Sequence, residues 1–186
     1  MVLHASAVSI KNKAYLFIGP SGAGKSFFMS KLMKNAKFIS EDISFITQKD
    51  KKFFINKGHP LVKLDQKAEF NEKFFFREKI KMDKRGRHCF SVREEYVEEK
   101  SVEISGCFFL TYADDLQINK MSTRQALASI TFATFLSKPI LSSPEVEKEI
   151  HTNIFEFINR VPIYNIKRNK NFNNFELIHN FIKSNL

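Results

Sequence analysis

Apolar and polar positions along the chain follow two periods, one typical of strands and one typical of helices. Residues 14–18 form an almost continuous apolar run, long enough for a buried strand. Residues 2–10 precede it as a second strand pattern, and residues 11–13 form the predicted hairpin turn because Asn12 tolerates a positive φ angle. After the hairpin, apolar residues recur at helical spacing, namely Phe28, Met29, Leu32, Met33 and Ala36.

The alternation of strand and helix patterns continues to the end of the chain and predicts an α/β fold. We find no internal repeat and no composition typical of a domain linker, so we expect residues 1–186 to form a single domain. Further strand patterns lie at residues 37–46 (with an acidic pair inside), 53–56, 61–64, 88–92, 101–112 and 161–166. Further helix patterns lie at residues 124–136, 146–160 and 174–184.

The stretch between the first buried strand and the first helix fits G-x-x-x-x-G-K-[ST], the P-loop or Walker A pattern. Glycines take positive φ angles and turn successive N–H groups towards one point, where a phosphate also meets the positive end of the helix. Lys25, which we expect to be exposed, would add its ammonium, and Ser26 would offer its hydroxyl to magnesium. A glycine turn that fits by chance is the alternative, but strand, loop and helix stand in the order that a P-loop needs. The residues are Gly19, Pro20, Ser21, Gly22, Ala23, Gly24, Lys25 and Ser26.

Two further features lie where the predicted topology brings them towards this loop. His4 stands at the end of the hairpin far from the turn, which is the edge where the P-loop begins. A functional role and an ordinary half-buried strand residue both fit this histidine. Glu41 and Asp42 follow a strand, and carboxylates beside a P-loop hold magnesium or accept a hydroxyl proton. A turn with two solvated carboxylates is the alternative.

Charge is unevenly distributed along the chain. The net charge is +10, and residues 1–60 carry ten Lys and Arg against three Asp and Glu. A basic surface attracts nucleic acid, an acidic protein or polyphosphate, although a solvated lysine-rich face explains the excess equally well. Residues 65–100 mix basic, acidic and aromatic residues and form the least regular segment, a candidate lid or partner-binding surface. The interleaved acids argue against RNA, so we do not expect a nucleic-acid partner.

Composition excludes several classes of protein. The 186 residues are 43% hydrophobic and 27% charged, as in ordinary globular proteins. Cys89 and Cys107 form no C-x-x-C motif and have no His-rich neighbour, so we do not expect a zinc site. No signal-peptide pattern and no apolar run of transmembrane length are present. We therefore expect a cytoplasmic protein with reduced thiols and no membrane partner.

Three segments together resemble the kinase domain of bacterial HPr kinase/phosphorylase and its smaller relatives. They are residues 3–8, which read Leu-His-Ala-Ser-Ala-Val, the P-loop, and Ser40-Glu41-Asp42. His4 stands 21 residues before Lys25, at the place of the family's His-Gly or His-Ala dipeptide, and the acidic pair stands at the place of its Asp-Asp. Residues 161–164 and the closing helix also resemble the small HPr-kinase-like kinases.

The resemblance implies a P-loop kinase fold like that of phosphoenolpyruvate carboxykinase, with a mixed β-sheet and flanking helices. It implies ATP or another nucleoside triphosphate and magnesium as cofactors. Carried over by position, His4 would assist the phosphoryl group, Lys25 would hold the β- and γ-phosphates, and Ser26 would bind magnesium. Glu41 would accept the proton of the acceptor hydroxyl and Asp42 would orient magnesium. Since Glu41 stands where the family has Asp, the two carboxylates can also exchange these roles.

The chain departs from the family in one segment that bears on the substrate. The family's Leu-Glu-x-Arg-Gly segment, which supplies a second magnesium ligand and a substrate contact, has no counterpart, and residues 58–64 read Gly-His-Pro-Leu-Val-Lys-Leu. HPr itself is therefore not implied. We expect phosphorylation of a serine hydroxyl in a peptide or small protein. A small-molecule kinase and a non-catalytic nucleotide-binding regulator are the alternatives, and a homo-oligomer stays open.

Overall fold

The computed structural model describes residues 1–64, 75–83, 86–134, 143–170 and 175–185. Its helices are α1 (Lys25–Leu32), α2 (Thr123–Ala133), α3 (Pro144–Arg160) and α4 (Phe175–Asn185). Its strands are β1 (Val2–Leu3), β2 (Ser6–Ile10), β3 (Lys13–Ile18), β4 (Lys37–Ser40), β5 (Ser44–Lys49), β6 (Lys52–Ile55), β7 (Leu61–Leu64), β8 (Phe76–Met82), β9 (His88–Val92), β10 (Val102–Tyr112), β11 (Gln117–Lys120) and β12 (Ile163–Arg168). Within the described residues, these elements build a mixed α/β fold, as the sequence predicts.

A mixed sheet of nine strands forms the centre of the fold in the described part of the chain. Seven strands follow the order β1-β5-β6-β10-β3-β2-β4, and β12 pairs with β10 and β11. β3 and β12 both run parallel to β10, with Leu16 opposite Cys107 and Ile163 also opposite Cys107. The three strands therefore end at the same edge of the sheet, and this edge carries the loop of residues 19–24.

Side chains of the central strands alternate between two apolar layers. Tyr15 and Phe17 of β3 point to the layer that contains α1 and α4, whereas Leu16 and Ile18 point to the layer that contains α2 and α3. All of these side chains are buried, which explains why β3 reads as a continuous apolar run. Phe17 stacks on Phe108 with ring centroids 5.5 Å apart, so the two parallel strands are tied together below the loop.

A second sheet, of order β7-β9-β8, includes two strands from residues 65–100, the segment predicted to be least regular. Both of its pairings are antiparallel. Buried residues of this sheet, including Val62, Leu64 and Val92, join the apolar layer of α1. This part of the segment is therefore a packed sheet. Residues 65–74 and 84–85 of the segment lie outside the described residues.

Most predicted elements are present, with three differences in detail, one of which is the strand β8 inside the segment predicted to be least regular. The predicted hairpin is confirmed, and its turn places both Lys11 (φ 50°) and Asn12 (φ 61°) at positive φ angles. The expected single strand at 2–10 is interrupted at His4 and Ala5, which separate β1 from β2. β11 is an additional strand: it is short, largely exposed and polar, so it lacks the apolar alternation that predicts strands.

The start of α2 is stabilised by a complete capping box. Ser122 Oγ accepts a hydrogen bond from the Gln125 N–H, and Gln125 Oε1 accepts one from the Ser122 N–H.

Among the described helices of the chain, none is long and apolar enough to span a membrane.

We predict that Ser122→Ala lowers the free energy of unfolding by about 1 kcal/mol, because the Gln125 N–H in the first turn of α2 loses its acceptor. The matched control is Ser143→Ala, since Ser143 is the N-cap residue of α3 but its side chain makes no capping bond. Urea unfolding of both variants gives the comparison. Equal destabilisation by the two substitutions would contradict the role of the capping box.

Candidate functional site

The loop between β3 and α1 is shaped by three glycines at positive φ angles: Gly19 (143°), Gly22 (83°) and Gly24 (81°). A Cβ on Gly19 would lie 2.6 Å from the carbonyl oxygen of Leu110, so the loop begins in direct backbone contact with β10. Gly24 is the N-cap residue of α1 and provides no side-chain cap. The first turn of α1 therefore presents N–H groups without a capping side chain, which is the arrangement that binds anions.

Lys25 lies folded over this loop. Its Nζ donates to the carbonyl oxygens of Gly19 (2.9 Å) and Pro20 (3.3 Å), and the residue is only 8% exposed. The expectation of an exposed lysine is wrong, because the loop carbonyls offer the ammonium partners within the protein. Burial lowers the pKa of Lys25, while the carboxylates of Asp42 and Glu41 oppose this effect.

Glu41 is the carboxylate that contacts the P-loop helix. Ser26 Oγ donates a hydrogen bond to Glu41 Oε1, which joins the end of β4 to the first turn of α1. Burial raises the pKa of Glu41 to about 7, and the negative charge of Asp42 acts in the same direction. The two residues that the resemblance links to magnesium, Ser26 and Asp42, thus have different hydrogen-bond partners: Ser26 donates to Glu41, and Asp42 accepts from Lys63.

Asp42 takes a positive φ angle of 63° and points to a different set of partners. Lys63 Nζ donates to Asp42 Oδ2, and His4 Nε2 lies 3.7 Å from Asp42 Oδ1. Burial acts to raise the pKa of Asp42, but the bond and charge of Lys63, together with the charges of His4 and Arg87, hold this pKa below its usual value. Asp42 is therefore the carboxylate kept ionised.

The structure brings His4 to the acidic pair, as the hairpin topology predicts. His4 lies at the break between β1 and β2, where its backbone N–H donates to the carbonyl oxygen of Ala133 in α2 (2.7 Å). Its side chain is 41% exposed. Burial and the charge of Lys25 lower the pKa of His4, and the charge of Asp42 opposes them.

Lys63 is a site residue that the sequence does not single out. Its side chain binds Asp42, and its backbone N–H binds the carboxylate of Glu41, so one residue of β7 contacts both acids. The bond to Asp42 raises the pKa of Lys63. The alternation of residues in β7 is a sequence feature that could have pointed to Lys63. Val62 and Leu64 are buried on one face of the strand, and Lys63 lies on the other face.

Arg87 reaches the same region from the hairpin of β8 and β9. Asp83 accepts from both the backbone N–H and Nε of Arg87, at 2.9 and 2.7 Å. The guanidinium is close enough to lower the pKa values of Lys25 and Asp42, and the charge of Glu41 in turn helps to raise the pKa of Arg87. Arg87 thus extends the basic side of the site, while its neighbour Arg85 lies outside the described residues.

Tyr112 and Arg168 lie on the other side of the loop, and the sequence does not single out either of them. Tyr112 Oη donates to the carbonyl oxygen of Gly22 (2.7 Å), and Arg168 Nη2 donates to that of Ala23 (3.1 Å). Both residues stand at the ends of their strands, β10 and β12, which pair with Tyr112 opposite Arg168. The loop is therefore held from the sheet edge by two side chains.

The residues around the loop fit a polyphosphate and a hard cation. Close backbone approach at the glycines, N–H groups at the helix start and the Lys25 ammonium suit a phosphate group. The Ser26 hydroxyl and the two carboxylates are oxygen donors of the kind that magnesium prefers. Among the described residues, no group of three or more His, Cys, Asp or Glu side chains could hold a metal ion by itself.

Comparison with known proteins places the fold. The chain is similar in structure to the HPr(Ser) kinase/phosphatase from Coxiella burnetii, with a TM-score of 0.53 and 9% sequence identity. The match covers 98% of this chain and 94% of the other. No protein-family model matches the sequence, and no curated protein matches it either. The chain thus shares its mixed α/β fold with this kinase/phosphatase, as predicted, and the likeness is one of fold alone.

We predict that Gly19→Ala destabilises the protein more than Gly22→Ala does. An alanine at either position is strained by its φ angle, at a cost of about 1–2 kcal/mol. A Cβ at Gly22 meets open space, whereas one at Gly19 meets the Leu110 carbonyl. This clash should add about 1–3 kcal/mol for Gly19→Ala. Urea unfolding measures both values, and equal losses would contradict the close contact between loop and β10.

Proposed function

We propose that this protein is a P-loop phosphotransferase that moves a phosphoryl group from ATP, or another nucleoside triphosphate, to a serine hydroxyl of a peptide or small protein. The observation that carries this proposal is the position of the acidic pair. Glu41 contacts Ser26 at the start of the P-loop helix, and Asp42 faces His4 on the adjacent side. A phosphate-binding loop, a carboxylate beside its serine and a second carboxylate that can accept the hydroxyl proton are parts that phosphoryl transfer to a hydroxyl uses.

The loop and Lys25 would bind the phosphates. The N–H groups at the start of α1 and the ammonium of Lys25 converge on one concave region, which lowers the cost of holding several negative charges close together. Lys25 would exchange its present carbonyl partners, Gly19 and Pro20, for phosphate oxygens. Because these carbonyls belong to the same loop, the exchange needs only a rotation of the side chain.

The contacts of the two carboxylates support separate roles. We assign Glu41, with Ser26, to the magnesium side of the site, and Asp42, with His4, to the acceptor side. The resemblance alone favours the opposite assignment, with Glu41 as proton acceptor and Asp42 at the metal. Magnesium, when bound, neutralises phosphate charge and orients the phosphoryl group. Asp42, held ionised by Lys63, would receive the hydroxyl proton, and His4 would contact the phosphoryl group in transit.

The acceptor is best supported as a peptide or protein. One solved structure with a similar fold is named as a kinase/phosphatase of HPr(Ser). Lys63 and Arg87 border the acceptor side and favour an acceptor segment with negative charge. We also propose that residues 1–186 form a single catalytic domain in the cytoplasm, where nucleoside triphosphates are available.

Incubation of the protein with Mg–ATP and candidate peptides, followed by mass spectrometry, tests the function through the mass increase of one phosphate. Nucleotide binding without any such transfer would favour a regulatory module instead.

We predict that Lys25→Met abolishes measurable binding of Mg–ATP and leaves the fold intact. Methionine keeps the apolar stem of the buried lysine, so only the ammonium is lost. Calorimetric titration measures the affinity, and circular dichroism checks the fold. Lys31→Met is the matched control, because Lys31 lies on the same helix, one and a half turns away. Equal affinity of wild type and Lys25→Met would remove the central claim.

We predict different defects for the two carboxylate variants. Asp42→Asn should lower kcat by at least about 10²-fold with little change in nucleotide affinity, because proton acceptance acts in the transition state. Glu41→Gln should instead raise the magnesium concentration needed for half-maximal activity. Steady-state phosphotransfer across a magnesium series separates the two effects. Glu103→Gln, which removes an exposed carboxylate paired with Lys52, is the control. Near-wild-type turnover of both site variants would show that the acidic pair takes no part in phosphoryl transfer.

A further inference from the structure

Arg168 is a buried guanidinium directly beneath the P-loop. The residue is 2% exposed, and its Nη2 donates to the carbonyl oxygen of Ala23 while Nη1 donates to that of Asn169, at 3.1 and 3.2 Å. Its Cζ lies 5.8 Å from the ring centre of Phe28 and 5.3 Å from that of Tyr112. In the described part of the chain, its Nε has no hydrogen-bond partner.

All of these partners are neutral. No carboxylate of the described residues is among the groups that act on the charge of Arg168, and burial is the main influence on its pKa, which it lowers. An arginine stays protonated even under such an influence. Burying a cation without a counter-charge is unfavourable. An anion on the P-loop would provide the missing counter-charge from the opposite side of the loop.

The bond to Ala23 also orients the loop. In a trans peptide the C=O and N–H groups point in opposite directions, and the described chain contains no cis peptide bond. When Arg168 binds the carbonyl of Ala23 from the sheet side, the N–H of Gly24 is directed away from the sheet, towards the phosphate side. Gly24 also makes room for the arginine, since a Cβ there would lie 2.7 Å from Arg168 Nη2.

Tyr112 supports the same arrangement from β10. Its hydroxyl donates to the carbonyl oxygen of Gly22. Two cations contact its ring, Arg168 and Lys170, and Lys170 Nζ lies 5.4 Å from the ring centre. Cation–π contact of this kind lowers the cost of keeping the guanidinium out of water. Tyr112 and Arg168 thus act on consecutive peptide groups of the loop.

We propose that Arg168, assisted by Tyr112, is a positioning residue for the phosphates of the nucleotide: it fixes the direction of the Gly24 N–H and supplies a buried positive charge beneath the bound phosphates. The proposal rests on the proposed nucleotide-binding function and adds a second cation, from the end of the chain, to the phosphate site of Lys25. It concerns polyphosphate in general, so a nucleotide and pyrophosphate should depend on Arg168 alike.

The test compares Arg168→Met, Arg168→Lys and Tyr112→Phe with the wild type in the full chain. Affinities for Mg–ATP and for magnesium pyrophosphate are measured by calorimetry, free energies of unfolding by urea, and KM and kcat by phosphotransfer. Phe157→Leu is the matched stability control, because Phe157 is buried in the layer of α2 and α3 on the other face of the sheet. If Arg168→Met does not fold, Arg168→Lys and Tyr112→Phe still provide the comparison, since Tyr112 is 43% exposed and phenylalanine keeps its ring.

We expect Arg168→Met to weaken the binding of both probes by about 10- to 100-fold, as for the loss of a charged hydrogen bond. Arg168→Lys should recover part of this loss, and Tyr112→Phe should weaken both affinities by about 2- to 10-fold. KM for the nucleotide should rise more than kcat falls.

Phe157→Leu should lower stability and leave both affinities unchanged. Wild-type affinity in the Arg168 and Tyr112 variants, or an equal loss of affinity in Phe157→Leu, would overturn the proposal. A wild-type protein that binds neither probe would overturn it together with the proposed function. A wild type that binds both probes as expected but transfers no phosphate would overturn the kinase function alone.

Discussion

The contact between Gly19 and the backbone of Leu110 is the constraint on which the arrangement of the site depends. It exists because β3 and β10 are parallel neighbours, and β10 continues beyond the residue opposite Ile18. The loop consequently leaves β3 along the surface of a longer strand and must turn at glycine. Burial of β3 on both faces holds this register, since a shift of one residue would place Phe17 and Leu16 in the wrong apolar layers. The position of the loop of residues 19–24 is thus set by core packing.

Charge is distributed differently on the two sides of the loop. On the outer side, Asp42 pairs with Lys63 and Glu41 with Ser26, so the acids are matched by donors from β7 and α1. On the sheet side, Arg168 meets carbonyl groups and aromatic rings. The first arrangement keeps two adjacent carboxylates in different protonation environments, which suits different tasks. The second places the positive charge of Arg168 beneath the loop without a carboxylate partner among the described residues. Together they make the loop attractive to anions although acidic side chains lie beside it.

Much of this arrangement follows from local sequence. The hairpin, the P-loop context and the strong strand at β10 can be predicted because each depends on residues that are close together in the chain, and His4 reaches Asp42 through hairpin topology. The residues that the sequence does not single out act over longer separations. Lys63 meets the acidic pair only when the second sheet packs against α1. The burial of Lys25 depends on the direction that its long side chain takes, and no pattern in the neighbouring sequence predicts that direction. β11 is recognisable as a strand only through its pairing with β12.

The alternation of side chains along β12 explains why Arg168 is buried beside the loop. In β12, Tyr164, Ile166 and Arg168 occupy one face of the strand, opposite Phe108, Leu110 and Tyr112 of β10. The first two pairs belong to the apolar layer of α1, so the third pair stands at a core-facing position but consists of a cation and a phenol. A strand that ends an apolar row with arginine buries a charge at the sheet edge. The free-energy cost of burying this charge is consistent with a functional role for Arg168. Because the edge coincides with the end of β3, the same apolar row that builds the core carries its last pair of side chains to the carbonyl groups of the P-loop. Core packing and loop geometry are therefore coupled through β12, more than a hundred residues from the motif itself.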